Sequence, residues 1–318
     1  MSNTLLDLAV VIISWNVRDL LTACLRALFA DLDRSDTEAE VWVVDNGSAD
    51  GTPEMVAREF PDVHLIVSDE NLGFAAGNNV ALRAILTHHA PRTTQYVWLL
   101  NPDTEVQPGA TAALLSALEA HPRASVVGAK LLYPDGSLQQ SAFRFPGLAQ
   151  LAFEFFPLPA RFYDTPFNGR YPRRFYEGEA PFPVDHPLGA TMMVRAEAIA
   201  DVGLLDEGFW MYCEEIDWCW RMRKAGWLAF CAPAAQVVHY AGRSTGQVRV
   251  ASFVALWRSR LRLYDKHYSP LKRRLARRLV RLGMRRKMRQ ARMAHHRGEI
   301  STAELETRLE ACQTVLAL

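Results

Sequence analysis

The sequence lacks the features that mark disulfide-bonded, zinc-binding and membrane-spanning chains. Its 318 residues include five cysteines, an odd number, with no CxxC pair. This favours reduced thiols in a cytosolic protein over a disulfide framework or a zinc site. The apolar run Leu8–Trp15 is too short to cross a bilayer and follows no Lys or Arg. We therefore expect neither a signal peptide nor a membrane anchor, and a cytoplasmic chain that at most attaches to a membrane face.

A net charge is also nearly absent, although the charges are unevenly placed. The chain has 36 basic and 35 acidic residues, but 11 basic and no acidic residues fall between Lys272 and Arg292. That leaves 25 basic against 35 acidic residues elsewhere. We therefore expect an acidic body with a cationic tail.

Strand and helix patterns alternate over the first 132 residues. Strands are predicted at Leu8–Ser14, Val41–Asp45, Val63–Val67, Tyr96–Leu100 and Ser125–Leu132, and helices at Leu20–Phe29, from Thr52 onward, at Ala75–Leu86 and at Pro108–Ala120. This order predicts an α/β fold with right-handed crossovers and a mostly parallel central sheet. In such sheets ligands bind beyond the carboxyl ends of the strands.

The regular alternation stops near Pro134. Residues 144–187 show no steady period and predict a long ordered loop or subdomain. Further strands are predicted at Gly189–Arg195, Trp227–Cys231 and Ala235–His239, and an amphipathic helical region begins near Gly246.

Two candidate ligand contacts follow predicted strands in the first half. Asp45 can accept a hydrogen bond from a nucleobase or a ribose, or it can cap its own turn. The stretch NLGFAAGNN (residues 71–79) permits close backbone approach at Gly73 and Gly77, and the following helix N-terminus favours a phosphate. A plain strand-to-helix turn explains this stretch as well. It is neither a Walker A loop nor a GxGxxG fingerprint, which argues against P-loop NTPases and Rossmann dehydrogenases.

A third candidate is the carboxylate of Asp103 in LLNPDT (residues 99–104). Pro102 cannot continue a central strand, so Asp103 projects beyond the sheet. A lone carboxylate there suits Mg²⁺ or Mn²⁺, which take few protein oxygens plus substrate phosphates; a turn residue is the alternative. His239, at the end of another strand, is a candidate neutral metal ligand or merely a hydrogen-bonded histidine.

The fourth candidate is the aromatic and acidic stretch GFWMYCEEIDWCWRMRKAG (residues 208–226). A helix over Glu215–Ala225 would place Arg221 four residues from Asp217, so we expect these two side chains to pair. Glu214 and Glu215 would then lie at the helix N-terminus. We expect the helix dipole to keep a carboxylate ionised there, as a general base requires.

Seven stretches, taken in this order, resemble the inverting family 2 glycosyltransferases with the A-type fold, especially the bacterial rhamnosyltransferase-like branch. They are VVIISWN, VVDNGSADGT, NLGFAAGNN, LLNPDT, LGATMMVR, GLLDEGFWMYCEEIDWCWR and HYAGRST, and they cover roughly residues 8–245. The resemblance implies a single Rossmann-like nucleotide-sugar-binding domain over residues 1–245. Residues 1–132 would form its donor half, residues 133–245 its acceptor half, and residues 246–318 a basic helical extension.

The resemblance also implies roles for individual residues. Asp45 would bind the nucleoside, Asp103 would be the last acid of the metal-binding DxD motif, and His239 would contact the metal or diphosphate. Glu215 would be the base that deprotonates the acceptor hydroxyl, with Glu214 as the alternate base. Further donor contacts are expected from Ser14, Asn16, Gly73, Asn78 and Asn101, and an acceptor-side wall from Gly189, Trp210 and Tyr212. The first DxD position is Asn101, so a single carboxylate is left for the metal.

The implied reaction is direct displacement at the anomeric carbon of a dTDP- or UDP-sugar, with inversion and with Mg²⁺ or Mn²⁺. Rhamnose is the first choice of sugar, and the acceptor would be a glycan or lipid-linked glycan. The alternatives are a transferase that loads polyprenyl phosphate, which needs no base, and a membrane scaffold or nucleic-acid binder without catalysis. The acidic body and the absence of a reading motif argue against nucleic acid. A homodimer stays open.

The cationic tail has two interpretations. Leu275, Leu279, Leu282 and Met288 recur near helical spacing, which is typical of a helix lying on an anionic membrane face. The aromatic loop 148–182 would add a second membrane contact. Alternatively, the tail pairs with the acidic body or with Glu304–Glu310.

Overall fold

A computed structural model of the protein describes residues 8–35, 37–88, 94–157, 159–162, 165–241 and 249–318. The strands are β1 Leu8–Ser14, β2 Ala39–Asp45, β3 His64–Val67, β4 Tyr96–Leu100, β5 Thr104–Val106, β6 Ala124–Leu132, β7 Leu138–Gln139, β8 Ala142–Phe143, β9 Phe182–Val184, β10 His186–Pro187, β11 Thr191–Arg195 and β12 Leu228–His239. The helices are α1 Arg18–Ser35, α2 Thr52–Glu59, α3 Gly73–His88, α4 Ala110–Ala120, α5 Leu148–Phe155, α6 Ala196–Val202, α7 Glu214–Lys224, α8 Arg249–His267, α9 Pro270–His296 and α10 Thr302–Ala317. Short 3₁₀ turns lie at Ala160–Phe162, Pro166–Asn168 and Arg173–Tyr176.

The central sheet has the order β3-β2-β1-β4-β11-β6-β12-β5, with β7 beside β6 and β9 beside β12. Strands β1, β2, β3, β4, β6 and β12 run in one direction, and β11 and β5 run against them. The predicted α/β fold with a mostly parallel sheet is confirmed. The chain leaves β1 towards β2 on one side and later returns to β4 on the other, so the sheet has a switch point between β1 and β4.

Helices cover both faces of the sheet because its strands alternate their side chains between two apolar layers. In β1, Leu8, Val10 and Ile12 pack with α1, α2 and α4. Ala9, Val11 and Ile13 pack on the opposite side with α3, α6 and α7. The five cysteines are all free and buried.

One prediction for the second half of the chain is wrong. The stretches 227–231 and 235–239 form one strand, β12, whose register shifts between Ala232 and Gln236 around Pro233. Pro233 has no N–H to donate to the ladder, so the strand is interrupted there without ending. Residues 144–187, predicted as a long ordered loop or subdomain, contain α5, which packs against the C-terminal helices.

The C-terminal helices α8, α9 and α10 share an apolar cluster with α5. Its buried members include Phe155, Trp257 and Val280. Gly283 lies so close to the Phe155 ring that an added Cβ would fall 2.2 Å from it. The predicted apolar face of α9 is corrected accordingly: Leu279 and Met288 pack on this cluster, whereas Leu275 and Leu282 are exposed. Among the described residues, no helix has the length and apolar character needed to cross a membrane.

Candidate active site

Ser14 and Asp45 are neighbours at the carboxyl ends of β1 and β2. Both side chains are fully buried. Asp45 Oδ2 accepts a hydrogen bond from the Ser48 amide at 2.8 Å, whereas Asp45 Oδ1 and Ser14 Oγ have no partner among the described residues. Buried polar atoms are almost always paired in folded proteins, so these two are available to a ligand.

The loops beside this edge are braced by asparagines. Asn16, in the left-handed region at φ 52°, accepts from the Ala49 amide at 2.8 Å, and its own amide donates to Ser48 Oγ at 2.9 Å. Asn78, predicted to contact the donor, donates to Phe74 O of its own helix at 2.8 Å. The structure therefore gives Asn16 contacts that shape the loops and gives Asn78 a hydrogen bond within its own helix.

Trp210 lies against the glycine-rich loop that opens α3. Gly73 has φ 80°, and an added Cβ would fall 2.2 Å from Trp210 O. The Phe74 amide donates to that same oxygen at 2.8 Å, and the Trp210 indole donates to Asn71 O at 3.4 Å. Trp210, predicted on the acceptor side, is thus packed on the donor-side loop, with 41% of its surface exposed.

Asp103 and His239 are brought together at the opposite end of the same sheet edge. Both are buried, and Asp103 Oδ1 lies 3.4 Å from His239 Nε2. The other ring nitrogen, Nδ1, lies 2.8 Å from Gln139 Oε1. An amide oxygen only accepts, so in the neutral ring Nδ1 would carry the proton and Nε2 would present its lone pair towards Asp103.

This pair fits a divalent cation. Asp103 Oδ1 and His239 Nε2 face each other at 3.4 Å, and the neighbouring Asn101 Oδ1 is buried without a partner among the described residues. Within the described ranges no group of three or more His, Cys, Asp or Glu side chains is arranged to hold a metal. A cation here would therefore need oxygens from the substrate, as Mg²⁺ and Mn²⁺ commonly do.

Glu214 and Glu215 begin α7 directly after a strained turn. Tyr212 and Cys213 both have left-handed backbone, at φ 70° and 69°. Such conformations cost energy for residues other than glycine and often occur at functional sites. The turn places Glu215 beside Gly189, where an added Cβ would lie 3.5 Å from Glu215 Cγ.

One short connection joins the Glu215 region to the Asp103 region. The Asn101 amide donates to Ala190 O at 2.9 Å, and Ala190 follows the glycine that faces Glu215. Antiparallel β11 starts where β4 ends, since Thr191 pairs with Leu100. Both groups of residues therefore lie at one edge of the sheet.

The ionisation of the two glutamates differs from the prediction. Burial raises the pKa of Glu215 to about 7. Burial, together with the charge of Glu215, raises the pKa of Glu214 well above its usual range, and Glu214 Oε2 has no partner among the described residues. We expected the helix dipole to keep these carboxylates ionised; desolvation outweighs it, because a carboxylate away from water favours its neutral form.

Asp217 is structural, as predicted. It is fully buried and accepts from Arg221 at 2.9 Å, from His267 at 2.7 Å and from Lys266 at 2.8 Å. Burial alone would raise the pKa of Asp217, but the hydrogen bonds from His267, Lys266 and Arg221 outweigh it and lower the value to about 2. The pairing with α8 was not predicted, because both partners lie about 50 residues further along the chain.

The aromatic side chains of α7 belong to the core. Trp218 is fully buried and donates to Gly203 O at 2.8 Å. Trp220 stacks between Phe145 and His267, with ring centroids 4.4 and 4.5 Å apart. The expected aromatic wall on the acceptor side is therefore limited to Tyr212 and to the exposed edge of Trp210.

Helix α8 holds the turn that precedes the two glutamates, which the sequence did not reveal. Ser259 Oγ donates to Met211 O at 2.7 Å. Arg262 and Lys266 pair with Asp206 at 2.9 and 2.8 Å. Leu263 packs in a small apolar cluster with Phe209 and Cys213. The glutamates are thus positioned from a helix outside the motifs that the sequence offered.

The fold and this strand-edge site define a glycosyltransferase with the A-type fold. The family model described as glycosyl transferase family 2 matches residues 9–202, and the chain belongs to that family. It is 32% identical over 243 residues to an N-acetylglucosaminyl-diphospho-decaprenol L-rhamnosyltransferase of Mycobacterium tuberculosis (strain ATCC 25618 / H37Rv), covering 73% of this chain and 77% of the relative. It is 26% identical over 220 residues to rhamnosyltransferase WbbL of Escherichia coli (strain K12), covering 68% and 78%.

The fold is also similar to that of solved glycosyltransferases. The crystal structure of GalNAc-T7 with UDP, GalNAc and Mn²⁺ aligns with a TM-score of 0.60 at 13% identity. The alignment covers 98% of this chain and about half of that one, at 55%. At 13% sequence identity, this structural similarity supports the fold but not a shared substrate or role.

Proposed function

We propose that this glycosyltransferase moves rhamnose from dTDP-rhamnose to a hydroxyl of a glycan or lipid-linked glycan, with inversion at the anomeric carbon. The two rhamnosyltransferase relatives support the sugar, and the name of the mycobacterial relative supports a lipid-linked acceptor. A UDP-sugar is the second choice of donor.

One observation carries this proposal. A carboxyl group whose pKa burial raises to about 7, Glu215, shares a sheet edge with the buried pair Asp103 and His239. A general base works best with a pKa near the operating pH. Displacement of a nucleotide diphosphate needs such a base for the attacking hydroxyl and positive charge for the departing group.

The donor would bind across the β1–β4 switch point. The hydroxyl of Ser14 and the carboxylate oxygen Oδ1 of Asp45 are buried without a hydrogen-bond partner among the described residues. We expect both atoms to hydrogen-bond to the nucleoside. Asp103 and His239 would hold Mg²⁺ or Mn²⁺, and Asn101 would contact the diphosphate. When bound, the cation stabilises negative charge on the leaving diphosphate as a Lewis acid.

The chemical step is a single displacement. The acceptor oxygen attacks the anomeric carbon while the bond from that carbon to the diphosphate oxygen breaks, and the electron pair leaves with the nucleotide. Glu215 takes the proton of the attacking hydroxyl. Burial and the charge of Glu215 raise the pKa of Glu214 well above its usual range, so Glu214 is the less suited of the two to act as the base.

We also propose where the enzyme acts in the cell and how the chain divides into a catalytic unit and an extension. A lipid-linked acceptor would bring the enzyme to the cytoplasmic face of the cell membrane. Residues 1–245 would be the catalytic unit, with donor and acceptor halves meeting near residue 132, and residues 246–318 an extension that braces it. A homodimer is compatible with this arrangement.

A thermal-shift panel of nucleotide sugars with Mn²⁺ tests the donor, since ligand binding raises the melting temperature. We expect the largest shift with dTDP-rhamnose, and NMR of the product should show the inverted anomer. A larger increase in melting temperature with another nucleotide sugar would identify that compound as the donor instead of dTDP-rhamnose. Retention of the anomeric configuration in the product would contradict direct displacement. If Glu215→Gln left the activity intact, a transferase acting on polyprenyl phosphate, whose acceptor is already an anion, would be the better account.

A further inference from the structure

One face of α9 is exposed along nearly its whole length and combines arginines with apolar side chains. These residues recur every three or four positions, so they line one side of the helix. They are Leu271, Arg274, Leu275, Arg278, Arg281, Leu282, Arg285, Arg289, Arg292 and Met293, and we refer to them as the Arg/Leu stripe. At 1.5 Å per residue the stripe is about 33 Å long.

The packing of α9 fixes the direction in which the stripe faces. Ala276, Val280, Met284 and Ala291 are buried on the opposite side of the helix. Gly283 lies on that side too, in contact with the Phe155 ring. Because glycine is required for this close approach, the helix cannot rotate to bury its leucines. The Arg/Leu stripe therefore faces outward.

The six arginines of the stripe form no ion pair with a carboxylate of the described residues. On the flank of α9, Arg273 and Arg277 pair with Asp265, at 3.9 and 2.7 Å. Within the ranges that the structure describes, no carboxylate lies within 4.0 Å of the six stripe arginines. The rest of the chain carries an excess of acidic residues, but the described ones lie farther than 4.0 Å from these arginines. An anionic partner outside the chain would supply a counter-charge.

The apolar members decide what kind of partner fits. Leu271 is 66% exposed, and Leu282 and Met293 are each 53% exposed. Duplex nucleic acid would engage the arginines but would leave these apolar side chains in water. An anionic bilayer engages both, since the arginines reach headgroup phosphates and the leucines enter the acyl boundary. Phe156, 39% exposed with Arg286 5.4 Å from its ring, extends the apolar surface beside the helix.

We propose that the Arg/Leu stripe docks this enzyme on an anionic membrane surface, with α9 lying in the plane of the interface. The inference deepens the membrane-face location proposed above and rests on that proposal for the choice of a lipid partner. The acidic remainder of the chain would be repelled by the same surface, so the charge asymmetry would also orient the molecule.

Point variants of the full chain test the proposal, because removing α9 would uncover the apolar side chains of α5 and α8. The charge variant is Arg278→Glu with Arg285→Glu, and the apolar variant is Leu275→Ser with Leu282→Ser. The control is Arg34→Glu with Arg308→Glu, which makes the same change in net charge at exposed positions on α1 and α10. Circular dichroism and activity on a short water-soluble acceptor should be unchanged in all three.

Binding is measured by co-sedimentation with vesicles of phosphatidylcholine alone or with 30 mol% phosphatidylglycerol. We expect wild type and control to bind the anionic vesicles and to weaken in high salt. The charge variant should partition at least about 25-fold less, roughly fivefold for each arginine. The apolar variant should partition at least about tenfold less, since each leucine loses its buried surface.

Three outcomes would overturn the proposal. The first is no preference of wild type for anionic vesicles, or an equal loss in the control. The second is full binding by the apolar variant together with salt-sensitive binding of duplex DNA that the charge variant loses, which would indicate a nucleic-acid surface. The third is a dimer in sedimentation velocity that the apolar variant dissociates, which would indicate an interface between two copies. Because no outcome depends on sugar transfer, failure here leaves the proposed reaction untouched.

Discussion

His239 Nε2 lies 3.4 Å from Asp103 Oδ1, although 135 residues separate the two along the chain. Nδ1 lies 2.8 Å from Gln139 Oε1, so a neutral ring would turn the lone pair of Nε2 towards the carboxylate. Two buried acceptors at this distance repel each other unless a cation or proton lies between them. In the function proposed above, this pair is one half of a metal site that the donor diphosphate would complete.

The carboxylate should be essential for metal-dependent donor binding. Asp103→Ala should lower the affinity for dTDP-rhamnose in the presence of Mn²⁺ by at least about 100-fold, since removing one partner leaves His239 alone in a site with few protein ligands. Isothermal titration calorimetry measures this directly, and EDTA should reproduce the loss in the wild type. Unchanged nucleotide-sugar affinity in both cases would remove Asp103 from the site.

Gln139 should tune the same site without touching the metal. Gln139→Ala removes the acceptor that fixes the ring tautomer of His239, and such outer contacts typically contribute about 10–100-fold in metal affinity. We expect a Mn²⁺ titration of donor-bound enzyme to shift by that factor, with the maximum rate at saturating Mn²⁺ reduced less. The exposed Gln313→Ala serves as the control. An unshifted titration would mean that His239 does not bind the metal.

How far the sequence predicts this site depends on the distance between interacting residues. The strands that end at Ser14 and Asp45 were predictable, because continuous β-branched runs followed by turn residues specify them locally. Asp217 with Arg221 was predictable from helical spacing alone. By contrast, Gln139 and Ser259 act over about 100 and 50 residues, and neither stands in a pattern that marks it.

Local sequence patterns did not predict which side chains of α7 and α9 are buried. The acidic start of α7 predicted ionised carboxylates, but Glu214 is buried, which raises its pKa well above the usual range. Burial also divides the four apolar positions predicted for a membrane-facing side of α9, because Leu279 and Met288 pack on the C-terminal cluster whereas Leu275 and Leu282 are exposed. Gly283 marks the packed side, and a glycine in a helix gives no signal of what it contacts.

The ion cluster at Asp217 should hold α7 and α8 together. Asp217→Asn leaves Lys266 and Arg221 without their buried partner and should lower the free energy of unfolding by about 3 kcal/mol. It should also lower kcat, because the helix that begins at Glu214 loses its anchor. Urea unfolding at pH 7 measures the loss.

The matched control is Asp265→Asn, whose pairs with Arg273 and Arg277 are exposed and should contribute about 1 kcal/mol or less. Since the pKa of Asp217 is lowered to about 2, its contribution should be fully present above pH 4 and be lost as the pH falls towards 2. Equal losses in the two variants would mean that the cluster is not a buried anchor.

The pH dependence of the reaction should show the ionisation of Glu215. The base works only when deprotonated, and burial raises its pKa to about 7. We therefore expect kcat/KM to rise about tenfold per pH unit below that value and to level off above it. The measurement is kcat/KM for the acceptor from pH 5.5 to 9 at saturating donor and Mn²⁺. An acid limb near pH 4.5 would show that the carboxyl is not desolvated in the working enzyme.

The most direct test compares Glu215→Gln with Glu214→Gln. Glu215→Gln should retain donor affinity but lower kcat by about 10²–10⁴-fold, the usual range for loss of a general base, and should flatten the acid limb. Its melting temperature at pH 8 should not fall, because the replaced carboxylate is disfavoured by burial. Glu214→Gln should change kcat much less. If Glu214→Gln lowered kcat more than Glu215→Gln, Glu214 would be the base. Full activity in both variants would contradict base catalysis from this turn.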